Sequence, residues 1–250
     1  MPLIANDILM VRTSIIILGI ILLTVFMAVM TILVSFVAAG GDSAHKVGRI
    51  WAKCILALSN IRVIVKGLSN LKPGRSYIYM ANHMSNFDIP VLQAYLPVQF
   101  SWLAKAELYK IPIFGYAMKR AGYISLDRSD RKSAIESLNK ATKIIRDGVS
   151  VIIFPEGTRS RTNNVQPFKK GGFFLAVDSG VPIIPIIIHG TGRIMPKKKM
   201  LIKPGNVTLE ITKPINSSDY TRKTKNDLIK KVRHVILDSF EKHKNNGVLC

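Results

Sequence analysis

The segment Tyr77-Ile78-Tyr79-Met80-Ala81-Asn82-His83-Met84-Ser85-Asn86-Phe87-Asp88 joins a short β-like run to a histidine and an aspartate five residues apart. Histidine is the side chain best suited to accept a proton near neutral pH. A carboxylate on the second ring nitrogen fixes the tautomer and stabilises the imidazolium. Positions five apart on a helix diverge by about 140°. A contact between His83 and Asp88 therefore requires His83 in a loop and Asp88 near a helix start.

Two interpretations of this segment are open. Ser85-x-x-Asp88 has the spacing of a capping box, and Pro90 is tolerated in a first helical turn, so Asp88 could simply cap a helix. Alternatively, His83 and Asp88 form an acid–base pair. A second segment, Phe154-Pro155-Glu156-Gly157-Thr158-Arg159-Ser160, also follows an apolar run and favours a shared site.

After residue 60, β-rich runs alternate with helical ones, which predicts an α/β domain with a mixed, largely buried β-sheet flanked by helices. The expected strands are Ile61–Lys66, Tyr77–Met80, Phe100–Ala104, Gly122–Leu126, Val151–Phe154, Ile183–Ile188 and Val207–Ile211. The expected helices are Ile89–Leu96, Pro112–Arg120, Arg131–Arg146, Lys169–Asp178 and Tyr220–His243. Gly148 is expected to end the helix at 131–146.

The amino-terminal 60 residues are more apolar than the remainder and show helical patterns instead of alternating strands and helices. Residues 13–39 form an apolar run of 27 residues without a charge, long enough as a helix to cross a bilayer with tilt or to lie in one leaflet. Residues 44–58 have helical periodicity, which fits either an interfacial helix or a core stripe. We expect a membrane-anchoring element over residues 1–60 and an α/β domain over residues 61–250. Lys46, Arg49 and Lys53 place that domain on the cytoplasmic side.

The charge and the hydrophobic content of the chain indicate which kinds of molecule it binds. The chain has 36 Lys and Arg against 15 Asp and Glu, a net charge of +21, and 48% hydrophobic residues. Such an excess selects acidic partners, and together with the apolarity it favours an anionic phospholipid membrane over nucleic acid. The two cysteines, Cys54 and Cys250, give no disulfide framework.

The two polar segments are expected at one edge of the sheet, because ligands bind at the carboxyl ends of strands in open α/β sheets. The sequence contains no GxSxG nucleophile elbow, no GxxxxGK[ST] phosphate loop and no clustered zinc ligands. What remains is a base that activates a substrate hydroxyl beside a site for an anionic phosphate, with Arg159 as a bidentate donor.

The chain resembles the glycerolipid acyltransferases, nearest to those that act on 1-acyl-glycerol 3-phosphate. Asn82-His83-x4-Asp88 and Phe154–Ser160 are similar to the first and third signature blocks of that family. Gly122–Arg128 is similar to the second block, although Ser125-Leu126 stand where Phe-Ile is usual. Val181–Pro185 is similar to the fourth block, and the likeness covers roughly residues 60 to 215.

The resemblance implies transfer of a fatty acyl group from acyl-CoA or acyl carrier protein to the sn-2 hydroxyl of lysophosphatidate, giving phosphatidate without a cofactor or metal. It implies that His83 is the general base and that Asp88 orients it. It also implies a phosphate and glycerol site formed by Lys105, Arg128, Glu156, Gly157, Thr158 and Arg159. Backbone amides near Gly157 are candidate oxyanion donors.

Each assignment has a plainer alternative. Lys105 can be a solvated surface lysine, Arg128 can pair with Asp127 or Asp130, and Glu156 can be structural. Lys169, Lys170 and Lys197–Lys199 are expected to form a basic, solvated face near anionic lipid. Two other functions compete: acylation of a different lysolipid, and a non-enzymatic protein that binds anionic lipid or nucleic acid.

Overall fold

A computed structural model describes residues 2–37, 41–162, 164–197 and 200–245. Its centre is a seven-stranded sheet in the order β1-β7-β6-β2-β5-β3-β4. β6, β2, β5, β3 and β4 are parallel to one another, β7 is antiparallel to β6, and β1 is parallel to β7. The strands are β1 (Ile61–Lys66), β2 (Ile78–Ala81), β3 (Ser101–Lys105), β4 (Ile124–Leu126), β5 (Val151–Ile153), β6 (Ile183–His189) and β7 (Gly205–Ile211).

Helices cover both faces of this sheet. They are α1 (Pro2–Val37), α2 (Asp42–Leu58), α3 (Asp88–Tyr95), α4 (Phe114–Arg120), α5 (Arg131–Arg146), α6 (Gly171–Ser179), α7 (Thr191–Ile194) and α8 (Lys225–Asn245), with 3-10 turns at Leu68–Asn70 and Ala106–Lys110. One core cluster joins the sheet to α1, α2 and α3, and a second joins its other face to α5, α6 and α8. Successive strand residues point to opposite faces, so Tyr79 enters the first cluster and Met80 the second.

The predicted fold class is confirmed: the sheet is mixed, largely buried and flanked by helices. All seven expected strands are present with ends within two residues of those predicted, and the helix at 131–146 has the predicted bounds. Gly148 follows that helix with a φ of 101°, in the left-handed region expected of a terminating glycine.

Two expectations about helix bounds were wrong in part, and one short helix was not expected. The last helix begins at Lys225 instead of Tyr220, because Thr221 and Thr224 form a turn in which each hydroxyl accepts the other's backbone N–H. The first helix begins at Pro2, before the apolar run, since polar residues can continue a helix once it has formed. The short helix α7 was missed because four residues carry no periodicity.

Helix α1 is fastened to the domain near both ends. The Arg12 guanidinium donates to the backbone carbonyls of Ile202, at 3.0 Å, and Ser59, at 3.1 Å. About 35 Å further along the helix, Arg120 of α4 donates to the hydroxyl and carbonyl of Ser35, both at 2.8 Å. The described part of α1 therefore lies along the domain over its whole apolar length.

The outer surface of this helix pair is apolar. Within the described residues, α1 is the single helix long and apolar enough to cross a membrane, from Asp7 to Val37, by length and composition. Its outward side chains include Leu18, Leu22, Phe26 and Leu33, each more than half exposed. The apolar residues that give residues 44–58 their helical periodicity lie in two kinds of surroundings. Ile55 is buried in the core, whereas three others are exposed: Ile50, Cys54 and Leu58.

Gly190, between β6 and α7, packs closely against the backbone of β7, and a substitution there can test this contact. Gly190 has a φ of 97°, and a Cβ there would overlap the carbonyl oxygen of Asn206 on β7, whereas Gly180 has a φ of 72° and open space around it. We expect Gly180→Ala to lower the free energy of unfolding by about 1 kcal/mol, the cost of a left-handed alanine. Gly190→Ala should lower it at least twice as much.

The measurement is the thermal midpoint of both variants in the same detergent. The shared left-handed conformation makes Gly180→Ala the control, so any additional loss reports the clash with Asn206. Equal midpoints for the two variants would contradict this account of Gly190.

Candidate active site

His83 and Asp88 lie in contact at the carboxyl end of β2. The distance from His83 Nδ1 to Asp88 Oδ2 is 2.7 Å, and the Asp88 side chain is fully buried while that of His83 is 13% exposed. A carboxylate next to Nδ1 favours the tautomer that carries its proton on Nδ1. Nε2 of the neutral ring is then the atom that can accept a proton from a substrate.

The same carboxylate oxygen shapes the turn between the strand and α3. Asp88 Oδ2 also accepts the backbone N–H groups of Met84, at 2.7 Å, and Ser85, at 2.9 Å. The capping-box prediction was therefore half right. Asp88 reaches back to Ser85 as expected, but the Ser85 hydroxyl donates to the carbonyl of Met195. The helix begins at Asp88 after Phe87, with no side-chain cap.

Glu156 joins the two polar segments. Its Oε1 accepts the backbone N–H of His83 at 2.7 Å, and its Oε2 accepts that of Gln166 at 2.8 Å. The residue is 2% exposed. Burial raises the pKa of the Glu156 carboxyl to about 7, against the influence of the two N–H donors. Because both oxygens hold backbone groups, we assign Glu156 to the support of the loops and not to the predicted glycerol site.

Two further contacts fix the position of the imidazole. The Ser160 N–H donates to the His83 carbonyl at 2.8 Å, which closes the second segment onto the first. The His83 ring stacks on Phe154, with ring centroids 3.8 Å apart and planes 10° from parallel. The ring is therefore held on one face by an aromatic side chain and at Nδ1 by a carboxylate.

The predicted phosphate ligands gather at the same edge of the sheet, because the strands that carry them are parallel. Lys105 ends β3 and is exposed, and Arg128 follows β4 and is also exposed. Thr158 and Arg159 lie in the loop after β5, where Arg159 is half-buried. Neither Lys105 nor Arg159 forms a side-chain hydrogen bond or salt bridge with the described part of the chain.

The structure bears on the alternative weighed for Arg128 and on the expected roles of Gly157 and Lys197. Arg128 forms no ion pair with Asp127 or Asp130, which instead accept the N–H groups of nearby serines. The Gly157 N–H donates to the backbone carbonyl of Phe154 at 3.0 Å, so this amide is engaged within its own loop.

Lys197 is not a solvated surface lysine. Its ammonium donates to the Thr158 hydroxyl at 3.1 Å and to the Arg159 carbonyl at 2.6 Å. Lys197 therefore supports the loop after β5, and Lys198 and Lys199 lie outside the described residues.

Sequence reasoning missed the residue that ties β2 to β6. Asn82 donates to the carbonyl of Ile188 at 3.0 Å and accepts its N–H at 2.7 Å. Asn82 belongs to the first signature block, but a buried amide that bridges two strands leaves no periodic pattern. The roles of Phe154 and Gln166 were also missed, because a ring that stacks on a histidine and a backbone N–H that binds a carboxylate leave no sequence pattern.

An apolar cavity of about 140 Å³ lies beside the site, on the face of the sheet that α1 and α2 cover. Its lining includes Met27, Trp51, Trp102 and Met118. The Trp102 ring is 5.9 Å from that of Phe154, which places the cavity wall next to the aromatic support of His83. The indole N–H groups donate to Thr24 and Gln93, so the lining presents apolar ring surfaces.

A family model and curated relatives that are similar to this chain are all acyltransferases. Residues 62–189 match the family model named Acyltransferase. The chain is 36% identical over 176 residues to a chloroplastic 1-acyl-sn-glycerol-3-phosphate acyltransferase of Brassica napus, covering 70% of this chain and 51% of the relative. It is 31% identical over 223 residues to the human 1-acyl-sn-glycerol-3-phosphate acyltransferase alpha, covering 89% and 79%. The chain thus spans about half the length of the chloroplast relative.

This chain is also similar to a solved structure, the crystal structure of the 1-acyl-sn-glycerophosphate acyltransferase of Thermotoga maritima. The match covers 98% of this chain and 98% of the Thermotoga maritima chain, with a TM-score of 0.80 and 29% sequence identity. The resemblance inferred from the signature blocks is confirmed at the level of the family. With a family match over half of its length and relatives above 30% identity, the chain belongs to the acyltransferase family.

Proposed function

We propose that this protein transfers a fatty acyl group from an acyl thioester to the sn-2 hydroxyl of lysophosphatidate, giving phosphatidate. The observation that carries the proposal is the 2.7 Å contact between His83 and the buried Asp88, next to a cationic loop. The names of the relatives, which describe acyl transfer to 1-acyl-sn-glycerol 3-phosphate, support this choice of acceptor.

In the proposed reaction, His83 Nε2 takes the proton of the sn-2 hydroxyl as the oxygen attacks the thioester carbonyl. Asp88 stabilises the imidazolium that forms. Collapse of the tetrahedral intermediate breaks the carbon–sulfur bond, and the imidazolium returns its proton to the departing thiolate. The acceptor itself is the nucleophile, so the products are phosphatidate and a free thiol.

The acceptor phosphate is assigned to Lys105 and Arg159. Both lie at the carboxyl edge of the sheet, and neither is neutralised by a carboxylate within the described residues. Arginine binds phosphate oxygens through a planar fork, and lysine acts as a point charge. The apolar cavity beside Trp102 is suited to a fatty acyl chain, since it lies on the side of His83 that faces the two amino-terminal helices.

The membrane is proposed to lie against α1 and α2. Both ends of the apolar segment are bound to the same domain, by Arg12 at one end and Arg120 at the other. A helix held in this way lies in one leaflet more readily than it crosses both, and its exposed apolar surface would enter the acyl region. The basic residues of α2 favour the cytoplasmic side.

Replacing His83 with alanine should reduce turnover at least 100-fold, because the attacking hydroxyl loses its base. Asp88→Asn should also reduce turnover strongly, since the amide neither fixes the tautomer nor stabilises the imidazolium. The assay is transfer of labelled acyl groups to lysophosphatidate in mixed micelles. His234→Ala, at an exposed position on α8, is the matched control. A His83→Ala protein with more than a tenth of the wild-type turnover would refute the proposed base.

Replacing Glu156 with glutamine should lower kcat about tenfold while the KM for lysophosphatidate changes less than threefold. The amide keeps one acceptor, so one of the N–H groups of His83 and Gln166 loses its partner, and the imidazole is held less firmly. Steady-state kinetics separate the two constants. A rise in the KM for lysophosphatidate at constant kcat would contradict the supporting role and would indicate that Glu156 binds the acceptor, as the sequence predicted.

Labelling of single cysteines tests whether α1 lies in one leaflet. In a variant without Cys54 and Cys250, Asp7→Cys and Lys46→Cys would flank the apolar segment, and Lys230→Cys on α8 reports the side of the catalytic domain. All three positions are exposed. We expect a membrane-impermeant maleimide to label all three from the same side of sealed vesicles. Labelling at position 7 from the opposite side would show that α1 crosses the bilayer.

A further inference from the structure

A group of exposed apolar side chains lies in the segment that connects β3 to α4. We refer to residues 108–116 as the 108–116 loop. None of its residues has a part in the proposed reaction. Large apolar side chains that are exposed close together mark a surface that contacts another molecule. Four of them in this loop are between 37% and 47% exposed: Leu108, Ile111, Ile113 and Tyr116.

The loop is tightly packed around a strained turn. The Phe114 N–H donates to the Pro112 carbonyl at 2.6 Å, which closes a γ-turn centred on Ile113, where φ is 61° and ψ is −58°. A β-branched residue rarely adopts a positive φ. A Cβ at Gly115 would lie 2.3 Å from the carbonyl oxygen of Tyr109, so the two ends of the loop are in close contact. The surroundings thus hold a strained turn that leaves the Ile113 side chain exposed.

The exposed apolar surface of the loop continues that of α1. Helix α4, which follows the loop, packs on α1, and its Arg120 donates to the hydroxyl and carbonyl of Ser35. Leu108 and Phe114 line the apolar cavity of about 140 Å³ together with Met27 of α1. The loop therefore lies on the same face of the sheet as α1 and forms part of the wall of that cavity.

The charges around the loop favour an anionic lipid surface. Residues 105–120 contain four basic residues and one acidic residue, Glu107. Lys105, Lys110 and Lys119 are exposed. An apolar tip flanked by lysines suits a bilayer, because the apolar side chains enter the acyl region while the ammonium groups stay at the level of the phosphates. A bilayer that covers α1 also reaches the adjoining loop.

We propose that the 108–116 loop is a third membrane-contacting element, which inserts Ile111, Ile113 and Tyr116 into the leaflet beside α1. Lys110 and Lys119 then meet anionic headgroups. The proposal rests on the position of the membrane given under the proposed function, but not on the reaction itself. Insertion at this place brings the wall of the apolar cavity to the depth of the lipid chains, so a fatty chain passes between leaflet and cavity without crossing water.

Fluorescence quenching by lipids tests the insertion. In a full chain without Cys54 and Cys250, Ile113→Cys is labelled with an environment-sensitive fluorophore and reconstituted into anionic vesicles. Leu22→Cys on α1 reports the proposed membrane face. Ile135→Cys on α5 is the matched control, because Ile135 is 48% exposed and Ile113 is 44% exposed. We expect lipids with a nitroxide in the acyl chain to quench the labels at 22 and 113 about twofold and to leave the label at 135 unchanged.

The pattern of quenching separates this proposal from the one on which it rests. Quenching at position 22 without quenching at 113 would overturn the insertion of the loop and leave the membrane on α1. No quenching at either position would overturn both. A label at 113 that responds to acyl carrier protein and not to nitroxide lipids would assign the loop to a protein partner, which also overturns the proposal.

Kinetics test the passage of the fatty chain. Ile113→Asp should raise the KM for long-chain lysophosphatidate in vesicles about tenfold, because a carboxylate enters the acyl region reluctantly. The KM for a short-chain, monomeric lysophosphatidate should change less than twofold, and Ile135→Asp should behave as the wild type. An equal rise for both acceptors, or no rise for either, would contradict the role of the loop. Failure of the wild type to acylate lysophosphatidate would refute the proposed function and leave the quenching result standing.

Discussion

The buried carboxylate of Asp88 is the constraint on which the site depends. A charge removed from water costs several kcal/mol unless donors replace the lost hydration. Here one oxygen takes the His83 ring nitrogen and the backbone N–H groups of Met84 and Ser85. Those three bonds determine the path of the chain after β2, the first residue of α3 and the tautomer of the imidazole. A substitution at this position therefore alters geometry and chemistry together.

The strands on either side of β2 hold this turn in place. Asn82 binds both backbone groups of Ile188 on β6, and Glu156, after β5, accepts the N–H of His83. Because β6, β2 and β5 are neighbours and parallel, their carboxyl ends meet, and side chains distant in sequence become a single network. β7 runs the other way, so the site lies within the parallel part of the sheet.

The sequence predicted well what depends on repetition and poorly what depends on single contacts. Seven strands follow from short β-rich runs, and the helix at 131–146 follows from apolar periodicity. The spacing of His83 and Asp88 left their contact open, and the resemblance to the acyltransferase signature blocks favoured it. The partners of Glu156 did not follow, because they are backbone N–H groups that any residue supplies. The fastening of α1 by Arg12 and Arg120 was also hidden, since an isolated arginine in sequence does not reveal which carbonyls it reaches.

Phe154 connects the base to the space proposed for the acyl chain. Its ring stacks on His83, with centroids 3.8 Å apart, and lies 5.9 Å from the Trp102 ring in the wall of the apolar cavity. The side chain thus stands between the imidazole and an apolar space. Attack of the acceptor hydroxyl on a thioester requires the base and the acyl carbonyl carbon to meet. A single aromatic residue directly after β5 adjoins the region proposed for each of them.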